Sequence, residues 1–347
     1  MNRNMKRRDF IIKGSSAVLG AGFALGSGRA FEGPSAKVAR VVEVIHPGAV
    51  GGDRKIDEAA VRIMLKRGLE RLTGAKQPWA EFIKPTDRVG LKINTLGRPL
   101  LFTHHELIRA VVSDLKEFGV TENNIIVWDR YETHMRDCRF DFNTGKEGVC
   151  TYGTDALDPN VRRYDDDVVF ESDLDDPKQR ERGTASRFSS IFTRECDKVI
   201  NMAILKDHGL SGVTLALKNL AYGLCDNNRR FHGPRHIGPF IAGFCAHPLV
   251  RNKVVLHIID GLEACYDQGP APRNPKVIYA ADALWLGTDP VALDAVGRKV
   301  IDEKRKEQGL SSIRDSGRAW DHIELAADRG LGICDLQRIA VERVPSV

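Results

Sequence analysis

Short apolar runs alternate along this chain with longer segments in which apolar residues recur every three or four positions. Buried strands are predicted at 38–45, 88–93, 124–129, 196–205, 254–259 and 276–286, and helices at 56–72, 104–118 and 290–301. This alternation is typical of an α/β fold, with a mostly parallel or mixed sheet and crossover helices on both faces. The pattern leaves open whether there is one domain or two tightly joined lobes. Segment 131–189 lacks it, and we expect an irregular insertion there, with the acidic run 165–167 in a solvated loop.

In the segment 201–223, NMAILKDHGLSGVTLALKNLAYG, a buried strand runs into a charged turn and then a helix predicted to begin near Ser211. Lys206 and His208 lie in the turn. Because the first N–H groups of a helix and its positive end favour anions, we expect an anion or a metal-bound oxyanion above this strand. Within the helix, Lys218 is predicted to reach back towards the turn, unless Lys218 and Asn219 are solvated helix surface.

Polar side chains follow four of the predicted strands. They are Lys92 and Asn94, Lys206 and His208, Asp260 and Glu263, and Thr288 and Asp289. Ligands of open α/β sheets bind beyond the carboxyl ends of the strands, so these side chains predict a crevice for an anionic or metal-bound ligand. Asp289 taken alone is better explained as a helix cap, since Pro290 follows it. The candidate substrate-binding residues are Lys92, Asn94, Asn219, Arg229, Arg230 and Asp289.

Histidines are concentrated in one part of the chain, because five of the ten lie between 208 and 257. His208, His232 and His236 are the predicted metal ligands. Gly233 and Pro234 argue against a continuous helix that carries both His232 and His236. The alternative is that these are neutral loop histidines, which hydrogen-bond the backbone or stack on other rings.

The first 30 residues have the composition of an export signal. A twin-arginine pattern at 6–13 precedes a small-residue apolar segment, and 28–30 resembles a cleavage site. We predict that residues 1–30 are a removed signal read by the twin-arginine export machinery, and that the protein is periplasmic or otherwise exported. Residues 31–347 then form the α/β domain, without a stable membrane span. The signal carries the whole formal net charge of +5, so a nucleic-acid partner is not expected.

The seven cysteines would meet an oxidising compartment after export, where an odd number leaves at least one thiol unpaired. Cys138 and Cys150, both in the segment 131–189, are a predicted disulfide. Cys225 directly follows the helix predicted in the segment 201–223, which we call the signature helix. It is either a reactive or metal-binding thiolate or a plain core cysteine.

A Lys-x-His-Gly turn and a Leu-Lys-Asn helix occur in LKDHGLSGVTLALKNL at 205–220. With LKIN at 91–94, Asp260-Gly261 and GTDPVALD at 287–294, they resemble the domain of unknown function 362 (DUF362) family over roughly residues 38–300. Members of that family are often linked to iron–sulfur proteins, and many carry a ferredoxin-like cysteine cluster. This chain has no C-x-x-C-x-x-C run, so the cysteine spacing does not support a ferredoxin-type cluster.

We expect an exported enzyme that depends on a transition metal or a metal-containing cofactor and acts on a small anionic substrate. Its redox character is implied by the resemblance and by the export route. Lys206 and Lys218 would neutralise the substrate or cofactor, and Asp260 would act as a general base or orient another group. One alternative is a non-catalytic periplasmic protein that binds a small anion or assists maturation of a partner's cofactor. Another is metal-independent hydrolysis by Asp260 and His208.

Overall fold

A computed structural model describes residues 38–145, 147–172, 183 and 185–346. The predicted export signal lies outside the described residues, so export stays a prediction. The strands are β1 (Ala39–Ile45), β2 (Val89–Lys92), β3 (Ile125–Trp128), β4 (Cys150–Thr151), β5 (Tyr164–Glu171), β6 (Ala185–Ser189), β7 (Lys198–His208), β8 (Gly212–Val213), β9 (Val254–Cys265), β10 (Ile278–Gly287) and β11 (Ile339–Pro345). The α-helices are α1 (Glu58–Thr73), α2 (His105–Phe118), α3 (Glu132–Asp137), α4 (Leu215–Gly223), α5 (Ile237–Cys245), α6 (Pro248–Lys253), α7 (Pro290–Glu307) and α8 (His322–Asp328).

The central sheet has the strand order β11-β1-β10-β9-β7-β2-β3-β4, and the short β8 pairs with β7 outside this path. Among the described strands on this path, only β10 is antiparallel to its neighbours. The predicted α/β fold with a mostly parallel sheet is therefore confirmed. Since β2, β7 and β9 are adjacent and parallel, their carboxyl ends meet at one edge of the sheet.

Apolar side chains of the sheet alternate between two hydrophobic cores. On β7, Ile200 and Met202 belong to one core, which α1 and α2 cover. Val199, Ala203 and Leu205 belong to the other, which α4, α5 and α7 cover. A strand buried on both faces reads as a continuous apolar run, which is why this segment was recognisable in the sequence.

The segment 131–189 is more regular than predicted. It contributes α3, an edge strand (β4) to the central sheet and both strands of the separate antiparallel pair β5–β6. The prediction of a solvated loop at 165–167 is wrong, because Asp165 lies on β5 and is buried. Its carboxylate accepts hydrogen bonds from Arg194 Nη2 at 2.6 Å and from Thr193 Oγ1 at 2.6 Å, which compensates its burial.

Two further predictions need correction. The signature helix begins at Leu215 and not near Ser211, because β7 continues to His208 and pairs with β8 before the chain turns. The predicted disulfide is absent: all seven cysteines lie within the described ranges, and all are free thiols. In the part of the chain that the structure covers, no helix combines the length and apolar character that crossing a membrane requires.

Candidate functional site

Three asparagines tie α4 to the carboxyl end of β2 and to the neighbouring part of β7. Asn219 on α4 accepts a hydrogen bond from Asn94 Nδ2 at 2.9 Å and donates one to Asn201 Oδ1 at 2.8 Å. Asn201 also donates to the carbonyl oxygen of Ala216 at 3.0 Å. The structure therefore brings the predicted residues Asn94 and Asn219 together, and their amide groups bind other parts of the protein.

Lys92, at the end of β2, is fully buried and pairs with Asp129, which follows β3. Its Nζ donates to Asp129 Oδ1 at 2.7 Å and to the carbonyl oxygen of Ile93 at 2.6 Å. Burial alone would raise the pKa of Asp129, but the charge and hydrogen bond of Lys92 outweigh it and lower that pKa. The positive charge of Lys92 is thus balanced within the protein.

Lys206 lies near the end of β7, fully buried, and its Nζ donates to Asn94 Oδ1 at 2.7 Å. The adjacent carboxylate of Asp207 is engaged elsewhere, since it accepts hydrogen bonds from Arg318 Nη1 and from the N–H of Gly269, both at 2.8 Å. Burial lowers the pKa of Lys206 to about 8. A neutral amide, and not a carboxylate, therefore holds this ammonium group.

Lys218 on α4 is 3% exposed, so the alternative of a solvated helix surface is wrong for this residue. Its Nζ lies 4.3 Å from the centre of the Tyr222 ring, one helical turn further along. Within the described part of the chain it has neither a hydrogen-bond acceptor nor an ion pair. Burial, and then the charge of Lys206, lower the pKa of Lys218 to about 7.

His208 ends β7 with its ring turned into the protein. Its Nδ1 accepts hydrogen bonds from the N–H groups of Leu210 at 3.0 Å and Ser211 at 3.1 Å. In the neutral ring the proton is therefore on Nε2, and this nitrogen is a donor. Burial, followed by the charge of Lys218, lowers the pKa of His208 well below its ordinary value, so the ring is neutral. Its buried Nε2 has no hydrogen-bond acceptor among the described residues.

His232 connects this buried group to solvent. It is exposed, and its ring centre lies 5.7 Å from that of His208 and 5.5 Å from that of Tyr222. Burial, the charge of Lys218 and then that of Arg229 lower the pKa of His232. The predicted residues Lys218, His208 and His232 therefore form one cluster, with Arg229 on its exposed side.

His322 on α8 is a member of the cluster that the sequence did not reveal. It is fully buried, and neither ring nitrogen has a hydrogen-bond partner in the described ranges. Burial, then the charges of Arg298 and Lys218, lower its pKa to about 3. The hydroxyl of Thr214, one turn before Lys218, is likewise buried and unpartnered among the described atoms. We call the set of Lys206, Lys218, His208, His232 and His322 the lysine–histidine cluster.

The start of α4 was predicted to favour an external anion, and the structure corrects this. Asp294 of α7 already occupies it, with its two carboxylate oxygens accepting from the N–H groups of Ala216 at 2.7 Å and Leu217 at 3.0 Å. Leu215 begins the helix at φ 45°, a left-handed conformation that is strained for a branched side chain. The GTDPVALD motif at 287–294 contains Asp294, but the residue of this motif that was predicted to line the site is Asp289.

Asp260 and Asp289 are both used by the fold. Asp260 is fully buried, and its Oδ2 accepts from the N–H of His104 at 2.9 Å and lies 2.8 Å from His104 Nδ1. Burial alone would lower the pKa of His104, but Asp260 and Glu263 outweigh it and raise that pKa to about 10. Asp289 caps α7 through the N–H groups of Val291 and Ala292, both at 2.9 Å, as its helix-cap interpretation predicted.

The two neighbouring arginines separate. Arg229 is exposed beside His232, whereas Arg230 is buried and its Nη1 donates to the carbonyl oxygens of Ala185 at 3.1 Å and Asn227 at 2.8 Å. His236, the third predicted metal ligand, is half-buried at the N-cap of α5. Of the two arginines, Arg229 is therefore the one placed to contact a ligand of the cluster.

These residues do not fit a metal ion. Because the backbone holds His208 with its proton on Nε2, the nitrogen that faces the cluster has no lone pair for a metal. Across the described residues, no group of three or more His, Cys, Asp or Glu side chains is arranged to hold one. The geometry therefore offers hydrogen-bond donors and positive charge to a ligand, and we derive no step through a metal.

Comparison with known proteins bears on the family and not on the chemistry. A search of curated proteins finds no match to this chain. The model of one protein family, described as a domain of unknown function (DUF362), matches residues 89–299. This segment is more than half of the chain and contains every member of the lysine–histidine cluster except His322. The chain belongs to the DUF362 family.

Proposed function

We propose that the protein binds a small anionic molecule, a carboxylate or a phosphate, at the lysine–histidine cluster. The observation that carries the proposal is a pair of donors without acceptors: the ammonium group of Lys218, a residue 3% exposed, and the buried Nε2–H of His208 both lack an acceptor among the described residues. A buried ammonium group without a counter-charge costs several kcal/mol, and a buried donor without an acceptor costs about 1–3 kcal/mol. A ligand oxyanion supplies both missing partners.

Three nearby carboxylates do not supply them, because each of the three is committed elsewhere. Asp129 pairs with Lys92, Asp207 with Arg318, and Asp294 with the start of α4. Strain at Leu215 supports the same location, since residues held in sparsely populated backbone conformations concentrate at ligand sites. The proposal keeps the predicted anionic ligand and the roles of Lys206 and Lys218, and it leaves out the predicted metal and redox chemistry.

Isothermal titration calorimetry with phosphate, acetate and oxalate tests the proposal on the wild type and on two variants. Lys218→Met removes the unpaired cation, and Lys299→Met removes an exposed lysine that pairs with Glu303 on α7. We expect at least one anion to bind the wild type and Lys299→Met and to lose affinity about tenfold or more in Lys218→Met. Affinity falls as the pH rises above about 7, where Lys218 loses its proton. Equal affinities in all three proteins would refute the proposal.

A further inference from the structure

The proposed function assigns Lys218 only a charge, but its surroundings fit a second role. Three lysines are buried in the described part of the chain, and two of them are held by hydrogen bonds. Lys92 donates to Asp129, and Lys206 donates to Asn94. Lys218 has an aromatic ring beside its Nζ and no acceptor in the described ranges. Its nitrogen is therefore left without the partner that would stabilise the protonated form.

A lysine acts as a nucleophile when its amine is kept neutral, by a desolvated site or by a second cation nearby. Both conditions hold for Lys218, since it is 3% exposed and lies near enough to Lys206 to be affected by its charge. The same two conditions lower its pKa to about 7, so at neutral pH about half of the amine is unprotonated.

A reactant can approach this nitrogen from one side. The Nζ of Lys218 lies over the ring of Tyr222, which is half-buried. The ring centre of His232, which is exposed, lies 5.5 Å from that of Tyr222. The Nε2–H of His208 is a neutral donor without an acceptor among the described residues, and Lys206 is a cation whose charge affects Lys218. A carbonyl oxygen and an acid group of one molecule would need these two kinds of group.

We infer that Lys218 forms an imine with the carbonyl group of a small oxo acid, the class of anion that carries both groups. The amine nitrogen of Lys218 attacks the carbonyl carbon, and the carbon–oxygen bond breaks as the carbon–nitrogen double bond forms. The two hydrogens of the amine leave with the carbonyl oxygen as water, so no oxidant or reductant is required. Lys206 holds the acid group, and His208 donates to the carbonyl oxygen. This inference rests on the proposed function.

The experiment is reductive trapping of the full-length protein with glyoxylate and cyanoborohydride at pH 7, followed by peptide mapping. We expect modification of Lys218 at least about tenfold faster than of exposed Lys299, because only the Lys218 amine is desolvated beside a second cation. Lys206→Met lets the pKa of Lys218 rise and should slow the labelling about tenfold. Lys218→Arg keeps the positive charge and removes the nucleophilic amine. In this variant we expect labelling of the exposed lysines alone.

Glycolate, which has the same acid group but a hydroxyl in place of the carbonyl, separates the two proposals. If glycolate binds in a Lys218-dependent manner but glyoxylate gives no preferential adduct at Lys218, imine formation is overturned and anion binding stands. If neither compound binds and no preferential adduct forms, imine formation is overturned, and anion binding fails with it when phosphate, acetate and oxalate also do not bind. Preferential labelling of Lys218 that glycolate suppresses supports both.

Discussion

Lys218→Met is expected to make the protein more stable, although it removes a central residue of the site. In the folded protein the pKa of Lys218 falls from its ordinary value of 10.5 to about 7, a shift of about 3.5. At about 1.36 kcal/mol for each pKa unit, the folded state loses up to about 5 kcal/mol by burying this ammonium group. Methionine fills a similar volume without a charge, so we expect a gain of about 3–5 kcal/mol at pH 6.

The pH dependence gives the prediction its sign. Between pH 7 and 10.5 the unfolded chain holds the Lys218 proton and the folded protein does not, so the wild type becomes more stable as the pH rises through this window. The advantage of Lys218→Met is therefore largest below pH 7. The advantage falls to about 2 kcal/mol at pH 9, because pH 9 lies only about 1.5 below the ordinary pKa of 10.5. Above pH 10.5 the advantage vanishes.

Urea denaturation followed by tryptophan fluorescence, at pH 6 and pH 9, measures both quantities. The buffer must contain no phosphate or carboxylate, since a bound anion would stabilise the wild type and hide the effect. Lys299→Met is the matched control, because it removes the same charge from an exposed site and should change stability by less than about 0.5 kcal/mol. A variant no more stable than the wild type at pH 6, or an advantage that grows with pH, would refute the reasoning.

Three further substitutions test the architecture around the cluster. Lys92→Met leaves the buried Asp129 carboxylate without its counter-charge and should cost about 3–5 kcal/mol at pH 7. Adding Asp129→Asn removes that charge and keeps an acceptor oxygen for Thr95, so it should restore part of the loss. Additive effects in that double-mutant cycle would contradict the pairing. Asp294→Ala removes the acceptor for two N–H groups at the start of α4 and should lower the free energy of unfolding by about 2–3 kcal/mol. Thermal or chemical denaturation measures this cost, and we expect a smaller one for Asp294→Asn. Lys253→Met loses hydrogen bonds to three carbonyl oxygens and should cost about 2–3 kcal/mol, and a cost near zero would show that these bonds do not stabilise the fold.

Much of the site could be predicted because its signals are local in the chain. The ends of β2 and β7 are recognisable as the limits of apolar runs, and parallel strands place Lys92, Asn94 and Lys206 at one edge. Since α4 follows β7 after a short turn, Lys218 and Asn219 had to lie above the same edge. Whether Lys218 was buried or solvated was left open by the sequence.

The remaining features depend on packing between distant segments. Asp294 reaches Ala216 across 78 positions of the chain, and His322 reaches the cluster only through the packing of α8 on α5 and α7. The proton position on His208 is set by two backbone N–H groups of a turn whose geometry the sequence does not specify. The sequence predicted a solvated Asp165 because it lies in an acidic run. Its burial is explained by the positions of Arg194 and Thr193, which donate hydrogen bonds to its carboxylate.

Asp294 has a consequence for how a ligand and protons are exchanged. Because it occupies the start of α4, the positive charge open to a ligand is carried by side chains that titrate and not by a permanent helix dipole. An anion that bound beside Lys218 without forming an imine would raise the proton affinity of its amine, so binding above about pH 7 would take up a proton from the solvent. The heat of binding then varies with the ionisation enthalpy of the buffer. Under the proposed function, ligand and proton would therefore enter and leave this site together, and an alkaline surrounding would release both.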